Sequence, residues 1–173
     1  GFNAADVARR AGAELVDLRA AGYRTAPAPA GREFRELRIS TIALDADLIV
    51  SVPLIKSHNL CAVTGALKNM KGVLPAVEKR AFHQRNLSQG IADLASVCPA
   101  RLSVVDGIIA TDNWVTGGGL RPMGVVLAGD DPVVVDSVCC HLMQADPYKI
   151  EHIRLAHELG AGWALTLDTD ERL

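Results

Sequence analysis

Residues 47–53, with the sequence DLIVSVP, form a nearly continuous apolar run of the length of a β-strand. Two similar runs follow at 102–106 (LSVVD) and 123–129 (MGVVLAG). β-Branched runs without polar alternation are typical of strands that are buried on both faces, as in a parallel sheet covered by helices. These three segments therefore predict the central strands of such a sheet.

Helical spacing of apolar residues is found between and after these strands. It predicts helices at 60–70, 86–97, 132–143 and 148–159. Because strand and helix segments alternate, we expect an α/β fold in three layers, with a mostly parallel sheet flanked by helices in a Rossmann-like arrangement. The amino-terminal part predicts a helix at 4–13, short strands at 14–18 and 34–40, and a surface loop at 25–31.

The length and composition favour one folded domain. The chain has 173 residues, of which 49% are hydrophobic and 22% charged, so residues 1–173 are expected to form a single domain. The first residue is not Met and a helix pattern follows at once, which suggests a piece of a longer protein. There is no signal-peptide pattern and no apolar run long enough for a membrane helix, so we expect a cytoplasmic protein without membrane contact.

Two further function classes are disfavoured by the composition. The net charge is −2, and the chain has only three Phe, two Trp and two Tyr, which argues against nucleic acid as a partner. The four cysteines contain no CxxC pair, so neither a zinc site nor a ferredoxin cluster motif is present. We expect Cys61, Cys98, Cys139 and Cys140 to be buried and reduced.

Basic residues are concentrated in one part of the sequence. Residues 50–90 contain six Lys or Arg and one acidic residue, Glu78. Lys56 follows the predicted strand at 47–53, and Lys68 and Lys71 share one face of the predicted helix at 60–70. Because ligands of open α/β sheets bind at the carboxyl ends of strands, Lys68, Asn69 and Lys71 are candidate ligands for a phosphate or carboxylate. The alternative is a solvated basic helix that binds nothing.

Histidines in the same segment could transfer protons. His58 and His83 are candidate general acid–base groups beside Lys56, because nearby cations disfavour the charged imidazole. His152 and His157 lie on the last predicted helix and are expected at the surface. No Walker A, GxGxxG or GxSxG motif occurs, so neither the reaction nor a cofactor can be assigned, and whether the chain is an enzyme stays open.

Acidic residues follow the other predicted strands. Asp131 and Pro132 are suited to the N-cap and first position of a helix. Asp106, Asp130 and Asp136 are expected to face the lysines, capping helices and pairing with the basic residues, with a Mg²⁺ site as the minor alternative. Gly118 belongs to a run of three glycines and is a candidate for close backbone approach to a ligand.

Several motifs resemble one known family. The segments at 52–58 (VPLIKSH), 64–72 (TGALKNMKG), 105–108 (VDGI) and 128–136 (AGDDPVVVD), together with His83, are similar to the domain of unknown function 362 family. The resemblance implies a bacterial or archaeal α/β domain, often joined to ferredoxin-type iron–sulfur modules, and it implies no reaction. An iron–sulfur cluster is expected only outside this chain.

Three hypotheses for function remain. The first is binding of a small anionic substrate or cofactor by the lysines and histidines. The second is an accessory role in an iron–sulfur redox protein, in which the domain docks a ferredoxin-like module of the parent protein. The third is a scaffold without a small-molecule site, which predicts that the basic residues scatter over the surface.

Overall fold

The structure, a computed structural model, describes residues 3–112 and 119–166. The main sheet consists of β3 (Val50–Ser51), β4 (Leu54–His58), β5 (Ala62–Thr64), β6 (Leu102–Asp112) and β7 (Gly119–Gly129). A separate antiparallel pair is formed by β1 (Tyr23–Pro27) and β2 (Glu36–Ser40). The helices are α1 (Ala4–Arg10), α2 (Thr41–Asp45), α3 (Ala66–Asn69), α4 (Ala76–Gln84), α5 (Leu87–Val97), α6 (Pro132–Leu142) and α7 (Glu151–Glu158), with 3₁₀ turns at Met70–Val73 and Pro147–Lys149.

The sheet is centred on β6. Strands β3 and β4 both run parallel to β6, with Val50 opposite Leu102 and Lys56 opposite Thr111. Strand β5 pairs antiparallel with β4, and β7 pairs antiparallel with β6. The α/β class is confirmed, and the sheet is mixed, with parallel pairing at its centre and antiparallel strands on both sides. Antiparallel pairing of β7 follows from the short connection after β6, because a parallel crossover needs a dozen or more residues.

The direction of β7 separates the two ends of β6. Gly129, at the end of β7, lies opposite Ser103 near the start of β6. Lys56 lies opposite Thr111 near the other end. Ser103 and Thr111 are eight positions apart along β6, a distance of about 26 Å. Asp130, which follows Gly129 and which the sequence analysis expected to face the lysines, therefore lies at the opposite end of β6 from Lys56.

One face of the sheet is covered by helices. Ile55 and Val105 point into a core that also holds Leu67 of α3 and Val133 of α6, and all four are at most 2% exposed. Burial of an aliphatic side chain of this size stabilises the fold by about 1.5–3 kcal/mol. Behind these helices, α5 and α7 pack together through further buried residues, including Leu94 and Ile153.

The other face of the sheet is open to solvent. Leu54, Asp106 and Val126 lie side by side in register on three strands, and all three are exposed. Val50 and Val52 are also exposed, at 45% and 66%. The second helical layer of the expected three-layer arrangement is not seen in the described parts of the chain.

The sequence predicted some elements well and others wrongly. Helices α5 and α6 match the predicted segments 86–97 and 132–143 closely. The predicted helix at 60–70 is wrong, because this segment contains β5, α3 and the start of a 3₁₀ turn. The predicted strand at 14–18 is also wrong, and the predicted loop at 25–31 begins within β1.

The structure also bears on the cysteines and on membrane-spanning helices. All four cysteines are buried and free, as predicted. Within residues 3–112 and 119–166, no helix has both the length and the apolar character needed to cross a membrane.

Candidate functional site

Five basic side chains from four elements are brought together, and we call them the cation cluster. They are Lys56 and His58 on β4, Lys68 on α3, Lys71 in the following 3₁₀ turn and His83 on α4. Their charges act on one another, because Lys68, His83, Lys56 and Lys71 all contribute to the lowered pKa of His58. Residues that are far apart in sequence thus lie within mutual electrostatic reach.

Strands β4 and β5 form a hairpin that Lys68 contacts through Thr64. Lys56 and Thr64 are paired across these two strands, and Lys68 Nζ lies 3.4 Å from Thr64 Oγ1. Lys56 and His58 are therefore in a strand of their own, β4, and not in a loop after the strand at 47–53 as the sequence analysis expected. The apolar positions of 54–64 are too few to predict this hairpin.

A buried carboxyl group fixes the start of α3. Asp136 accepts hydrogen bonds from the backbone N–H groups of Ala66 (2.5 Å) and Leu67 (3.1 Å). A side chain at position 65 would place its Cβ 2.2 Å from Asp136 Oδ1, so Gly65 is required for this approach. Burial raises the pKa of Asp136 to about 7, against the two hydrogen bonds that lower it. At neutral pH the carboxyl group is therefore only partly ionised.

Lys71 and His83 form a close pair. Lys71 is 9% exposed, and its Nζ lies 3.0 Å from His83 Nε2. A lysine ammonium group can only donate hydrogen bonds, so His83 Nε2 is the acceptor and its proton is on Nδ1. Burial and the charges of Lys71 and Lys68 lower the pKa of His83. Burial also lowers the pKa of Lys71.

His58 is a neutral imidazole at pH 7. Burial, followed by the charge of Lys68, lowers its pKa to about 4. The backbone N–H of Leu60 donates to His58 Nδ1 at 3.1 Å. The proton of the neutral ring is therefore on Nε2, which leaves this nitrogen as a donor.

The pKa of Lys68 is strongly lowered by its surroundings. Burial lowers its pKa to about 8, and the charges of Lys71 and Lys56 add to the effect. In the part of the chain that the structure describes, Lys56, Lys68 and Lys71 make no ion pair with a carboxylate. The cluster therefore carries positive charge that is not neutralised by these residues.

A cavity of about 390 Å³ lies beside the cation cluster. His58 belongs to both the cavity and the cluster. Cys61 lies in the cavity wall, and the charges of Lys68 and Lys71 act on its thiol group. The volume is in the range of small-ligand sites. The other lining residues include Ser88, Lys149 and Glu151.

His152 lies beneath this region and was predicted wrongly. The sequence analysis expected it at the surface, but it is fully buried, and neither ring nitrogen has a hydrogen-bond partner among the residues that the structure describes. Burial lowers its pKa to about 3, with further contributions from Lys68 and His58. Helix periodicity alone could not identify this position, because α7 packs against both α5 and α6.

The predicted acidic wall facing the lysines is not formed. Asp106 lies on the open face of the sheet, where it accepts a hydrogen bond from the Ile108 N–H at 3.0 Å. Asp130 is exposed and lines a different cavity, of about 370 Å³. Asp136 caps α3 as described above. The antiparallel direction of β7 explains the error for Asp130, since it places this loop at the other end of β6.

Asn69, a further predicted ligand residue, does not join the cluster. Asn69 Nδ2 donates to Ser51 Oγ at 2.9 Å, which ties α3 to β3. Gly118 lies outside the described residues. No group of three or more His, Cys, Asp or Glu side chains in residues 3–112 and 119–166 is arranged to hold a metal ion.

Comparisons with known proteins identify the family. The model of the Domain of unknown function (DUF362) matches residues 2–141, so the chain belongs to the DUF362 family. A thylakoid-associated protein of Synechocystis sp. is 29% identical over 153 residues. The match covers 84% of this chain and 46% of the relative, so the chain spans less than half of the relative's length. No solved structure matches this chain.

Proposed function

We propose that the cation cluster binds a small anionic substrate or cofactor through a phosphate or carboxylate group. The observation that carries this proposal is the grouping of Lys56, Lys68 and Lys71 without a carboxylate partner among the residues described. Partly buried ammonium groups that repel one another are stabilised when an anion enters between them. The scattering of basic residues that a scaffold would show is not found for these three lysines.

The two histidines add neutral hydrogen-bonding groups to the proposed site. His58 Nε2–H can donate to an anion, and the Nδ1 of the same ring is already bonded to the backbone. His83 holds Lys71 in place through the 3.0 Å contact. In an enzyme of this design, His58 would hold or move a proton next to the bound anion.

Calorimetric titration with phosphate and with small carboxylates tests the proposal. We expect saturable binding to the wild-type chain, and at least about tenfold weaker binding in each of the variants Lys68→Gln and Lys71→Gln, since a charge-assisted hydrogen bond contributes about 1.5–3 kcal/mol. Arg80→Gln is the matched control, because Arg80 lies in the same basic segment but is exposed on α4. Equal affinity in all four proteins, or no binding by any anion, would overturn the proposal.

The open face of the sheet favours a second candidate function, docking of a ferredoxin-type module of the parent protein. Leu54 and Val126 are 41% and 59% exposed, and Val126 lies on a strand whose sequence is typical of two-sided burial. These two apolar side chains lie on one face of the sheet with Asp106 between them, and exposed apolar side chains grouped on one face are characteristic of interaction sites. The longer relative has room for a further folded unit.

A pair of substitutions tests docking. Val126→Asp should leave the unfolding temperature of the isolated chain nearly unchanged and lower that of the full-length protein. Val77→Asp is the matched control, because Val77 is also 59% exposed but lies on α4. Equal effects of both variants in the full-length protein would contradict docking on this face.

The cytoplasmic location stays a prediction, since association with thylakoids is stated only for the relative.

A further inference from the structure

We propose that the module which docks on the open face of the sheet brings a lysine or arginine side chain, set among apolar side chains, to Asp106. The inference rests on docking, the second candidate function above, and names the chemistry that the docked surface must have. It concerns the face formed by β3, β4, β6 and β7, and it is independent of the cation cluster.

Asp106 occupies the middle strand of the open face. On β6 it is paired with Leu54 of β4 on one side and with Val126 of β7 on the other. Neighbouring strands are about 4.8 Å apart, so both apolar side chains lie next to the carboxylate. Two positions earlier on β6, Val104 is paired with Ala128, which is also exposed. The carboxylate is therefore surrounded by apolar side chains on the face that a partner would cover.

The apolar surface continues along the neighbouring strands. Val50 and Val52 precede Leu54 at alternate positions, and both are exposed. Val50 also belongs to the wall of a cavity of about 410 Å³, and the residues that line this cavity carry no ionisable group. Exposed apolar surface of this extent is characteristic of interaction sites. A partner can therefore bury a larger area than the three side chains around Asp106 provide.

Asp106 has no cationic partner in the part of the chain that the structure describes. One carboxylate oxygen accepts a hydrogen bond from the Ile108 N–H at 3.0 Å, a contact within the same strand. The ion pairs between described residues involve other carboxylates. The side chain is exposed, so solvent stabilises the charge while the face is open.

Covering the face removes this solvation. A carboxylate that loses its contact with water is strongly destabilised unless a cation or several hydrogen-bond donors replace the water. A purely apolar partner surface would therefore leave Asp106 buried and unpaired. A surface with a lysine or arginine at the matching position would pair with it. The carboxylate thus selects the partner, and the apolar side chains around it supply the buried area.

Carboxyl labelling tests whether the face is covered. The isolated chain and the full-length protein are treated with a water-soluble carbodiimide and an amine, digested, and the labelled carboxyl groups are measured by mass spectrometry. We expect labelling of Asp106 to be at least about tenfold slower in the full-length protein, because a covered carboxylate reacts only when the contact opens. Glu36, which is exposed on β2, is the internal control and should be labelled equally in both proteins.

Removal of the charge tests for the cation. Asp106→Asn keeps the shape of the side chain, so a docked lysine or arginine loses its partner. The midpoint of thermal unfolding should fall by at least about 4 °C in the full-length protein and stay nearly unchanged in the isolated chain. Glu36→Gln is the matched control, and it should leave both proteins nearly unchanged.

Three results would overturn the inference. The first is equal labelling of Asp106 in the two proteins. The second is a full-length Asp106→Asn variant that is as stable as Glu36→Gln. The third is protection of Asp106 in the isolated chain that increases with protein concentration, because a second copy would then be the partner.

Val126→Asp separates failure of this inference from failure of docking itself. If Val126→Asp lowers the unfolding midpoint of the full-length protein and Asp106→Asn does not, docking stands and the cation is wrong. If neither variant lowers this midpoint, both proposals fail.

Discussion

Side chains of opposite charge lie near the two ends of β6, and they differ in whether they have partners. Near Ser103, Asp131 accepts hydrogen bonds from the N–H groups of Val133, Val134 and Trp163. Near Thr111, the lysines of the cation cluster have no carboxylate partner among the residues described. The carboxylates therefore hold the backbone in place, while the lysines remain available to a ligand.

Removal of the Asp136 carboxyl group should have the largest effect on stability. Asp136→Ala leaves the buried N–H groups of Ala66 and Leu67 without an acceptor, so the free energy of unfolding should fall by about 3 kcal/mol. Urea unfolding measures this change. Asp136→Asn keeps one acceptor oxygen and should lose less. An alanine variant as stable as the wild type would contradict the structural role of this carboxyl group.

Acid should lower the stability of the protein through His152, which lies beneath the cation cluster. The folded protein keeps this ring neutral, with a pKa of about 3, whereas the unfolded chain takes up a proton below about pH 6.5. Stability from this group is complete above pH 6.5 and is lost as the pH falls. Between pH 7 and pH 5 the wild type should lose about 2 kcal/mol more than His152→Leu, as measured by urea unfolding at each pH. Parallel losses in the two proteins would show that His152 is not held neutral.

Loss of the Asp131 cap, near the other end of β6, should have a smaller effect on stability. Asp131→Ala removes the acceptor for the first N–H groups of α6 and for Trp163, and should destabilise the fold by about 1.5 kcal/mol. Asp131→Ser keeps a capping oxygen and should recover most of this loss. Thermal unfolding of the three proteins checks the order, and a serine variant no better than alanine would argue against capping.

The smallest expected effect is the pH dependence of anion affinity. Sulfate keeps its charge between pH 7 and pH 9, whereas Lys68 loses its proton through about pH 8. Affinity for sulfate should therefore fall by up to about tenfold over this range in the wild type. Lys68→Arg stays charged, and its affinity should change little. Calorimetry at the two pH values makes the comparison, and an equal fall in both proteins would remove Lys68 from the site.

Local chemistry made parts of the fold predictable. Asp131 with Pro132 predicts the start of α6, and the apolar spacing of 86–97 predicts α5 after its N-cap Asn86. The clustering of basic residues in 50–90 also indicated the residues that β4, α3 and α4 bring together. These features depend on neighbours in sequence.

The remaining features depend on contacts between distant segments. The burial of Asp136 follows from the packing of α6 against Gly65, and the separation of Asp130 from the lysines follows from the antiparallel pairing of β7. The short strands β4 and β5 have few apolar positions, so their pairing gives no periodic signal. His152 is buried by helices that no local pattern identifies.

The most direct test of the account is to locate a bound anion. Crystals of the chain can be soaked in tungstate, an electron-dense analogue of phosphate, and the metal atom found by its anomalous scattering. The account predicts a tungstate ion within hydrogen-bonding distance of Lys68 Nζ, with Lys56 or Lys71 as a second contact. Tungstate found only at other basic side chains, such as Arg80 or Lys149, would contradict the central claim.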